Sequence, residues 1–471
     1  MADDLDPRQF GASFKGFLEQ MAKDAPAEES FFRKTVREHL GVDPANLLAV
    51  SEKHAMSEHP NLQRALEAWL GAPGRSHRLL GVASAEQHAF VGLSLGALIT
   101  ERATGLFGGA APSEGPVAYE AHDIGEREPL SCVKVGLWLV HQAQAAPVVI
   151  LLSGIDRGFS PTVVVEVGAG TKERAEQVLR ELRKLMQERN VYRGKIIAVE
   201  TEGHGEIALR FRKMPDVERA AIVLSEGLLA RIERQTLTFT RHAEVLKAAG
   251  RHLKRGLLLH GPPGTGKTLT AMYLASRMEG RTVFLVTGRG MGVIEHACTL
   301  ARALVPSTII LEDVDLVAED RSHGQPSCQP VLFELLNQMD GLAEDADVLF
   351  VLTTNRPDIL EPALAARPGR IDQAIEVPLP DGDCRRRLFE LYGKGLDVEA
   401  AVEPFVHRTR GASAAFIREL MRRAALFAAD DASASSRLRV RDAHLDAALK
   451  ELVLHGGVTR QLLGFQSDEG G

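Results

Sequence analysis

One short segment limits what this chain can fold into more than any other. Gly261-Pro262-Pro263-Gly264-Thr265-Gly266-Lys267-Thr268 fits the pattern GxxxxGK[ST] and lies between an apolar run, Gly256 to His260, and a helix-like segment, Leu269 to Met278. A strand must anchor one end of such a loop and a helix must start at the other, which commits the surrounding chain to an α/β fold. Its glycines let backbone N–H groups curl around phosphates while the helix N-terminus adds its dipole. On this reading Gly261, Pro262, Pro263, Gly264, Thr265, Gly266, Lys267, Thr268 and Leu269 bind the nucleotide. Lys267 reaches the β and γ phosphates, and Thr268 offers its hydroxyl to Mg²⁺. A glycine-rich turn without a ligand is the alternative, and the complete set of fixed positions weighs against it.

A second signal follows at Ile309-Ile310-Leu311-Glu312-Asp313-Val314-Asp315, where acids end a buried apolar strand. Phosphoryl transfer to water needs one carboxylate near the metal and another to orient the attacking water. Successive side chains of a strand point to opposite sides, so Glu312 and Asp313 can divide these tasks, with Glu312 beside Thr268 at the metal. Around both motifs the chain alternates between strand and helix: Arg281 to Val286, Val293 to Leu304, Thr308 to Leu311, Val348 to Thr353 and Ala374 to Val377. That order predicts a P-loop NTPase of α/β class, a parallel sheet with helices on both faces. After Pro380 the pattern is helical to about His455, which predicts a helical lid.

The first half reads differently. Phe10, Phe14, Phe17, Leu18 and Met21, then Leu62, Leu66, Trp69 and Leu70, recur at helical spacing, which predicts a helical region over 1–75. The phenylalanine stripe fits a core face better than a docking face. Short β-like runs follow: Val133 to Val140, Val148 to Leu152, Thr162 to Val167, Lys195 to Val199 and Ile207 to Phe211. An amphipathic helix marked by Val178, Leu182 and Met186 separates the third run from the fourth. These predict a small α+β domain over 76–214, an ATPase subdomain over 215–378, the lid over 379–458 and a loose tail over 459–471. No catalytic constellation stands out before 215.

Composition narrows the function classes. The 471-residue chain exceeds one ordinary core and carries a formal net charge of −7, which disfavours a nucleic-acid partner held by phosphate neutralisation. Its apolar run Ala89 to Ile99 is too short to span a bilayer, so a cytoplasmic location is expected. Cys132, Cys298, Cys328 and Cys384 are scattered singly, without the spacing of a metal site, and read as reduced thiols.

From about Leu224 to Ala425 the chain resembles the AAA+ ATPases, within the AAA clade proper. The resemblance rests on the Gly261 to Thr268 loop, the acidic strand end, Leu336-Asn337-Gln338-Met339-Asp340-Gly341-Leu342, Thr353-Thr354-Asn355-Arg356-Pro357-Asp358, and Ala363 through Arg367-Pro368-Gly369-Arg370 to Asp372. It implies ATP and Mg²⁺ as ligands and ATP hydrolysis as the activity. It also implies that Asn355 positions the lytic water, and that Arg367 and Arg370 reach the nucleotide of a neighbouring subunit. A site completed in this way implies a homo-oligomeric ring, usually a hexamer, acting on a protein partner bound through the N-terminal region.

The chain departs from the family pattern in two places. Glu312-Asp313 inverts the usual order and is similar to the pair in mitochondrial AAA chaperones that translocate the folded Rieske protein; it makes the catalytic carboxylate one methylene shorter. Gly288-Arg289-Gly290-Met291-Gly292-Val293 lacks the aromatic that threading members present to a central pore. Gly411-Ala412-Ser413-Ala414-Ala415 resembles the family's lid turn, and the following Arg418 fits a lid or interface role. The sequence ranks a ring-forming protein remodeller first, a slow nucleotide-dependent switch or assembly scaffold second, and a nucleic-acid motor third. Arg385-Arg386-Arg387 and Arg422-Arg423 read as a solvated lid face in an acidic chain.

Overall fold

A computed structural model describes residues 11, 13–17, 29–83, 93–100, 112–155, 162–202, 206–213, 216–286, 291–315, 335, 337–339, 341, 346–358, 371–431 and 438–454. The chain divides into two compact units, Met1–Val191 and Tyr192–Gly471. Among the described residues no helix is long and apolar enough to cross a membrane.

The first unit is built on an antiparallel sheet. Its strands are β1 (Leu48–Ala55), β2 (Arg75–Val82), β3 (Glu114–Gly115), β4 (Ala118–His122), β5 (Leu130–Gln142), β6 (Ala145–Ile155) and β7 (Thr162–Ala169). They are ordered β1-β7-β6-β5-β2-β3, with β4 also paired to β5. Val148, Ile150 and Leu152 of β6 pack on one face with Leu62, Leu66 and Trp69 of α2 (His59–Leu70) and Val178, Leu179 and Leu182 of α4 (Lys172–Glu188). The alternate residues Val149 and Leu151 pack on the other face with Phe32 and Val36 of α1 (Phe31–Leu40) and Leu95 and Leu98 of α3 (Leu95–Ile99). Burial on both faces explains the unbroken apolar run of this central strand.

Two expectations are corrected here. Residues 1–75 are not simply helical, because β1 pairs antiparallel with β7 along its whole length, Leu48 opposite Ala169 to Ala55 opposite Thr162. Phe14 and Phe17 are 47% and 58% exposed, and it is Phe32 and Val36 of α1 that fill the core expected for the phenylalanine stripe. Phe10, Leu18 and Met21 lie outside the described residues.

The second unit holds the parallel sheet. Its strands are β8 (Ile196–Glu202), β9 (Glu206–Phe211), β10 (Arg255–His260), β11 (Thr282–Val286), β12 (Ser307–Leu311), β13 (Val348–Thr354) and β14 (Gln373–Glu376), in the order β14-β10-β13-β12-β11-β8-β9. Each neighbouring pair is parallel except the β8–β9 hairpin. The strands at 196–202 and 206–211, expected in the preceding domain, therefore extend this sheet beyond β11, and the unit begins at Tyr192 rather than near Met214. Leu257, Leu259, Val283, Ile310, Val351 and Ile375 bury against Ala271, Leu274 and Ala275 of α7 (Lys267–Ser276) and Leu229 and Ile232 of α5 (Glu226–Glu233). Between α5 and β10 lies α6 (Ala243–Ala248), and between β11 and β12 lies α8 (Met291–Ala303). At the opposite end of the strands from the glycine loop, the buried Arg281 guanidinium binds Asp347 at 2.8 Å and Thr308 Oγ1 at 3.2 Å.

A helical layer follows the sheet: α9 (Gly382–Tyr392), α10 (Val402–Arg408), α11 (Ala414–Asp430) and α12 (Asp442–Leu454). The two-residue strands β15 (Asp397–Val398) and β16 (Arg439–Val440) pair between them. Phe389, Phe405, Phe416, Leu420, Leu445 and Leu449 form its core. The basic clusters there are engaged: Arg386 binds Asp383 and Glu403, Arg385 donates to the Val406 and Pro380 carbonyls, and Arg422 and Arg423 both bind Glu419. Arg386 and Arg422 thus spend their charges on neighbouring carboxylates, whereas Arg385 is buried at 8% exposure, which corrects the expected solvated face at that position.

Candidate active site

Parallel strands bring their carboxyl ends to one edge, where open α/β sheets bind ligands. Here β10 ends at His260 and runs into the glycine loop, β12 delivers Glu312 and Asp313, and β13 delivers Asn355. Three segments far apart in sequence converge because β13 lies between β10 and β12.

The loop has the backbone its glycines permit. Gly261, Gly264 and Gly266 have φ of 141°, 74° and 99°, a region L side chains rarely adopt. A Cβ at Gly261 would lie 2.4 Å from the Val377 carbonyl oxygen, so the strand-to-loop exit packs directly on the chain leaving β14. A Cβ at Gly264 would lie 2.8 Å from Ser413 Oγ, and the Gly264 carbonyl accepts from Ala415 N at 3.1 Å. Ser413 is the N-cap of α11 and accepts from Phe416 N, so the glycine loop rests on the start of a lid helix.

Lys267 begins α7 and is buried. Its ammonium donates to the Gly261 and Pro262 carbonyls at 2.9 and 2.8 Å. Burial lowers its pKa to about 8, against the pull of Asp313 and Asp315. An arriving anion would favour the charged form and raise this pKa again.

The acidic strand end is a small network. Asp313 has φ 46°, a left-handed conformation that aspartate tolerates better than most residues. Its backbone N–H donates to Thr353 Oγ1 at 3.0 Å, and its Oδ1 accepts from Asn355 Nδ2 at 3.1 Å. Asp315, buried, accepts from Thr354 Oγ1 at 2.8 Å and from Asn355 N at 3.3 Å. Burial, with the Asp315 charge behind it, raises the Asp313 carboxyl, while Lys267 and Asn355 oppose the rise. Glu312 is raised by burial and then by Asp313. A raised carboxylate is a stronger base, the property a proton acceptor needs.

Some of these residues line a cavity of ≈ 970 Å³. Pro263, Gly264, Thr265, Gly266, Lys267, Thr268, Leu269, Asp313 and Asn355 line it. Gly261, Pro262 and Glu312 do not, although the carbonyls of the first two accept from the Lys267 ammonium. Sequence reasoning missed the far wall, where Ile222, Val223 and Leu224 face Leu388, Tyr392 and Met421 of the lid. It also left Asp315 without a task, although an acid two residues beyond Asp313 was the available signal. Arg418 lines the same wall, in keeping with a lid role. The donors fit the expected ligands: backbone N–H groups and an ammonium for phosphates, the Thr268 hydroxyl and neighbouring carboxylates as hard oxygen donors for Mg²⁺. Arg367 and Arg370, and Gly288 to Gly290 of the pore segment, lie outside the described residues.

Comparison with known proteins agrees with this geometry. The family described as "ATPase family associated with various cellular activities (AAA)" matches residues 257–379. The chain is similar to the proteasome-activating nucleotidase of Methanothermobacter thermautotrophicus, 33% identical over 237 residues, covering 47% of this chain and 58% of the relative. It is 29% identical to the 26S proteasome regulatory subunit 8 homolog of Schizosaccharomyces pombe over 231 residues, covering 46% and 57%. It is 35% identical to the 26S proteasome regulatory subunit 6B homolog of Dictyostelium discoideum over 201 residues, covering 40% and 50%. The chain thus spans about half the length of the curated relatives it matches. With the glycine loop, the acidic strand end and Asn355 meeting at one sheet edge inside the matched segment, the chain carries over residues 257–379 an ATPase domain of the AAA+ family.

Proposed function

We propose that this chain binds ATP with Mg²⁺, hydrolyses it, and uses the cycle to remodel, unfold or translocate a protein partner as a ring of identical subunits, six in the usual family arrangement. The observation that carries the reading is the convergence of Lys267, Asp313 and Asn355 on one cavity, with Asn355 bonded to Asp313. Lys267 neutralises the β and γ phosphates, and the apolar wall of Ile222, Val223 and Met421 suits a purine. Thr268 would offer its hydroxyl to Mg²⁺ and Glu312 would hold the ion's hydration shell; when bound, the ion would supply charge neutralisation at the transferring phosphoryl oxygens. Asp313 orients the attacking water and draws its proton, and Asn355 fixes the direction of that carboxylate. The choice of a protein partner is supported by relatives named for proteasome activation and regulation. The first unit, with its own two-faced core, is the proposed partner-binding region.

Arg367 and Arg370 are proposed to complete the site of a neighbouring subunit, where a guanidinium stabilises charge spreading over the phosphoryl group. Mixing tests this. Arg370→Ala subunits keep an intact glycine loop and Lys267→Ala subunits keep intact arginines, so neither alone should hydrolyse ATP while the mixture recovers part of the native rate. Monomers in ATP that turn over at a rate independent of protein concentration would refute the ring and leave a nucleotide-dependent switch.

A further inference from the structure

We propose that His59, His122 and Cys132 of the first unit form a transition-metal site, with zinc as its ion. One ligand atom of each lies within 4.8 Å of the others. His59 opens α2, His122 closes β4 and Cys132 lies in β5, so three separate elements bring the ligands together. Cross-strand register accounts for two of them. His122 pairs with Leu130 and Glu120 with Cys132, and side chains two apart on a strand share a face, which puts Glu120, His122 and Cys132 side by side.

The hydrogen-bonding pattern points to a ligand. His59 is 2% exposed, and its Nε2 lies 3.0 Å from the Val133 carbonyl oxygen. A carbonyl only accepts, so Nε2 carries the proton and Nδ1 presents a lone pair. Nδ1 is buried with no hydrogen-bond partner among the described residues, and so is His122 Nε2. A metal-binding imidazole has this arrangement, with one nitrogen tied to a backbone carbonyl and the other free to ligate. Cys132 is fully buried and is not paired in a disulfide. Two imidazoles and a thiolate suit zinc, whose ligand atoms around a tetrahedron sit about 3.5 Å apart, within reach of modest side-chain adjustment. The Glu120 carboxylate, 4.0 Å from His122 Nε2, is placed to close the fourth position. The bound ion would pin the β4–β5 hairpin to the start of α2, so that its affinity appears as stability of the first unit.

Cobalt(II) supplies the test on the full-length chain stripped of metal by a chelator. One equivalent should bind with a thiolate-to-cobalt charge-transfer band in the near ultraviolet, and zinc should displace it. Cys132→Ser should lose the band, whereas Cys298→Ser, Cys328→Ser and Thr268→Ala should keep it. His122 is only partly buried, so His122→Ala should fold while weakening cobalt at least about 100-fold, beyond the usual effect of an outer-shell change. Zinc should raise the thermal midpoint of the native chain and leave that of His122→Ala unmoved. A native chain without the band, a band that survives Cys132→Ser, or equal zinc stabilisation in His122→Ala would each overturn the site.

Discussion

The Asn355 side-chain amide donates to Asp313 Oδ1 across 3.1 Å and so ties the end of β13 to the segment that follows β12. Asp313 lines the cavity, whereas its neighbour Glu312 is not among the lining residues. Asn355→Ala should therefore reduce hydrolysis by about 100-fold, the effect of a misplaced reacting group, while ATP affinity stays near native. Steady-state turnover and calorimetric titration together check this, and a parallel loss of affinity would count against a purely orienting role.

Asp315 supports that pair from beneath. Replacing it with alanine leaves the Thr354 hydroxyl and the Asn355 amide without their acceptor. The expected loss is about 1–3 kcal/mol of stability, with turnover falling as well. Asp315→Asn keeps one acceptor oxygen and should be milder in both. Thermal unfolding with turnover separates the two variants.

The pH dependence of nucleotide binding follows from Lys267. Its free-state pKa of about 8 means that below this pH the ammonium is already charged, and above it binding must take up a proton. ATP affinity should then fall by up to about tenfold per pH unit above pH 8. Titrations in buffers of different ionisation enthalpy should report proton uptake there. Lys267→Ala should bind little ATP at any pH.

Gly264→Ala should loosen the lid. The new Cβ meets Ser413 Oγ at 2.8 Å and Ala415 Cβ at 2.9 Å, and φ of 74° adds roughly 1–2 kcal/mol of backbone strain. ATP affinity should drop, and adding Ser413→Gly should recover part of it by removing one clash. A double-mutant cycle on ATP affinity measures that recovery, and strict additivity would show that Gly264 acts without the lid.

The second unit was legible because its strands are buried on both faces. Every residue of β12 and of β13 is buried, which leaves an apolar run that no turn or exposed helix imitates. The hairpin of β8 and β9 was recognised as strand but given to the wrong sheet, because a strand's own residues do not record which neighbour its backbone will bond. The site was legible where a loop or strand end carried a compact motif. Its far wall was not, since Ile222, Val223, Tyr392 and Met421 look like any other core residues. His59, His122 and Cys132 escaped for the same reason: their spacing in sequence matches no short metal motif, and only the fold brings them together.

The strand β1 was missed outright. Leu48-Ala49-Val50-Ser51-Glu52-Lys53-His54-Ala55 has little of the apolar alternation that marks a strand, because it ends the sheet order and every one of its residues is exposed or half-buried. Glu52 instead binds Arg183 at 3.0 Å. A free sheet margin can template foreign chains, and charge along it is a common defence. The composition that hides β1 from a reader of the sequence should also hide it from other polypeptides, a useful property in a protein proposed to handle unfolded ones.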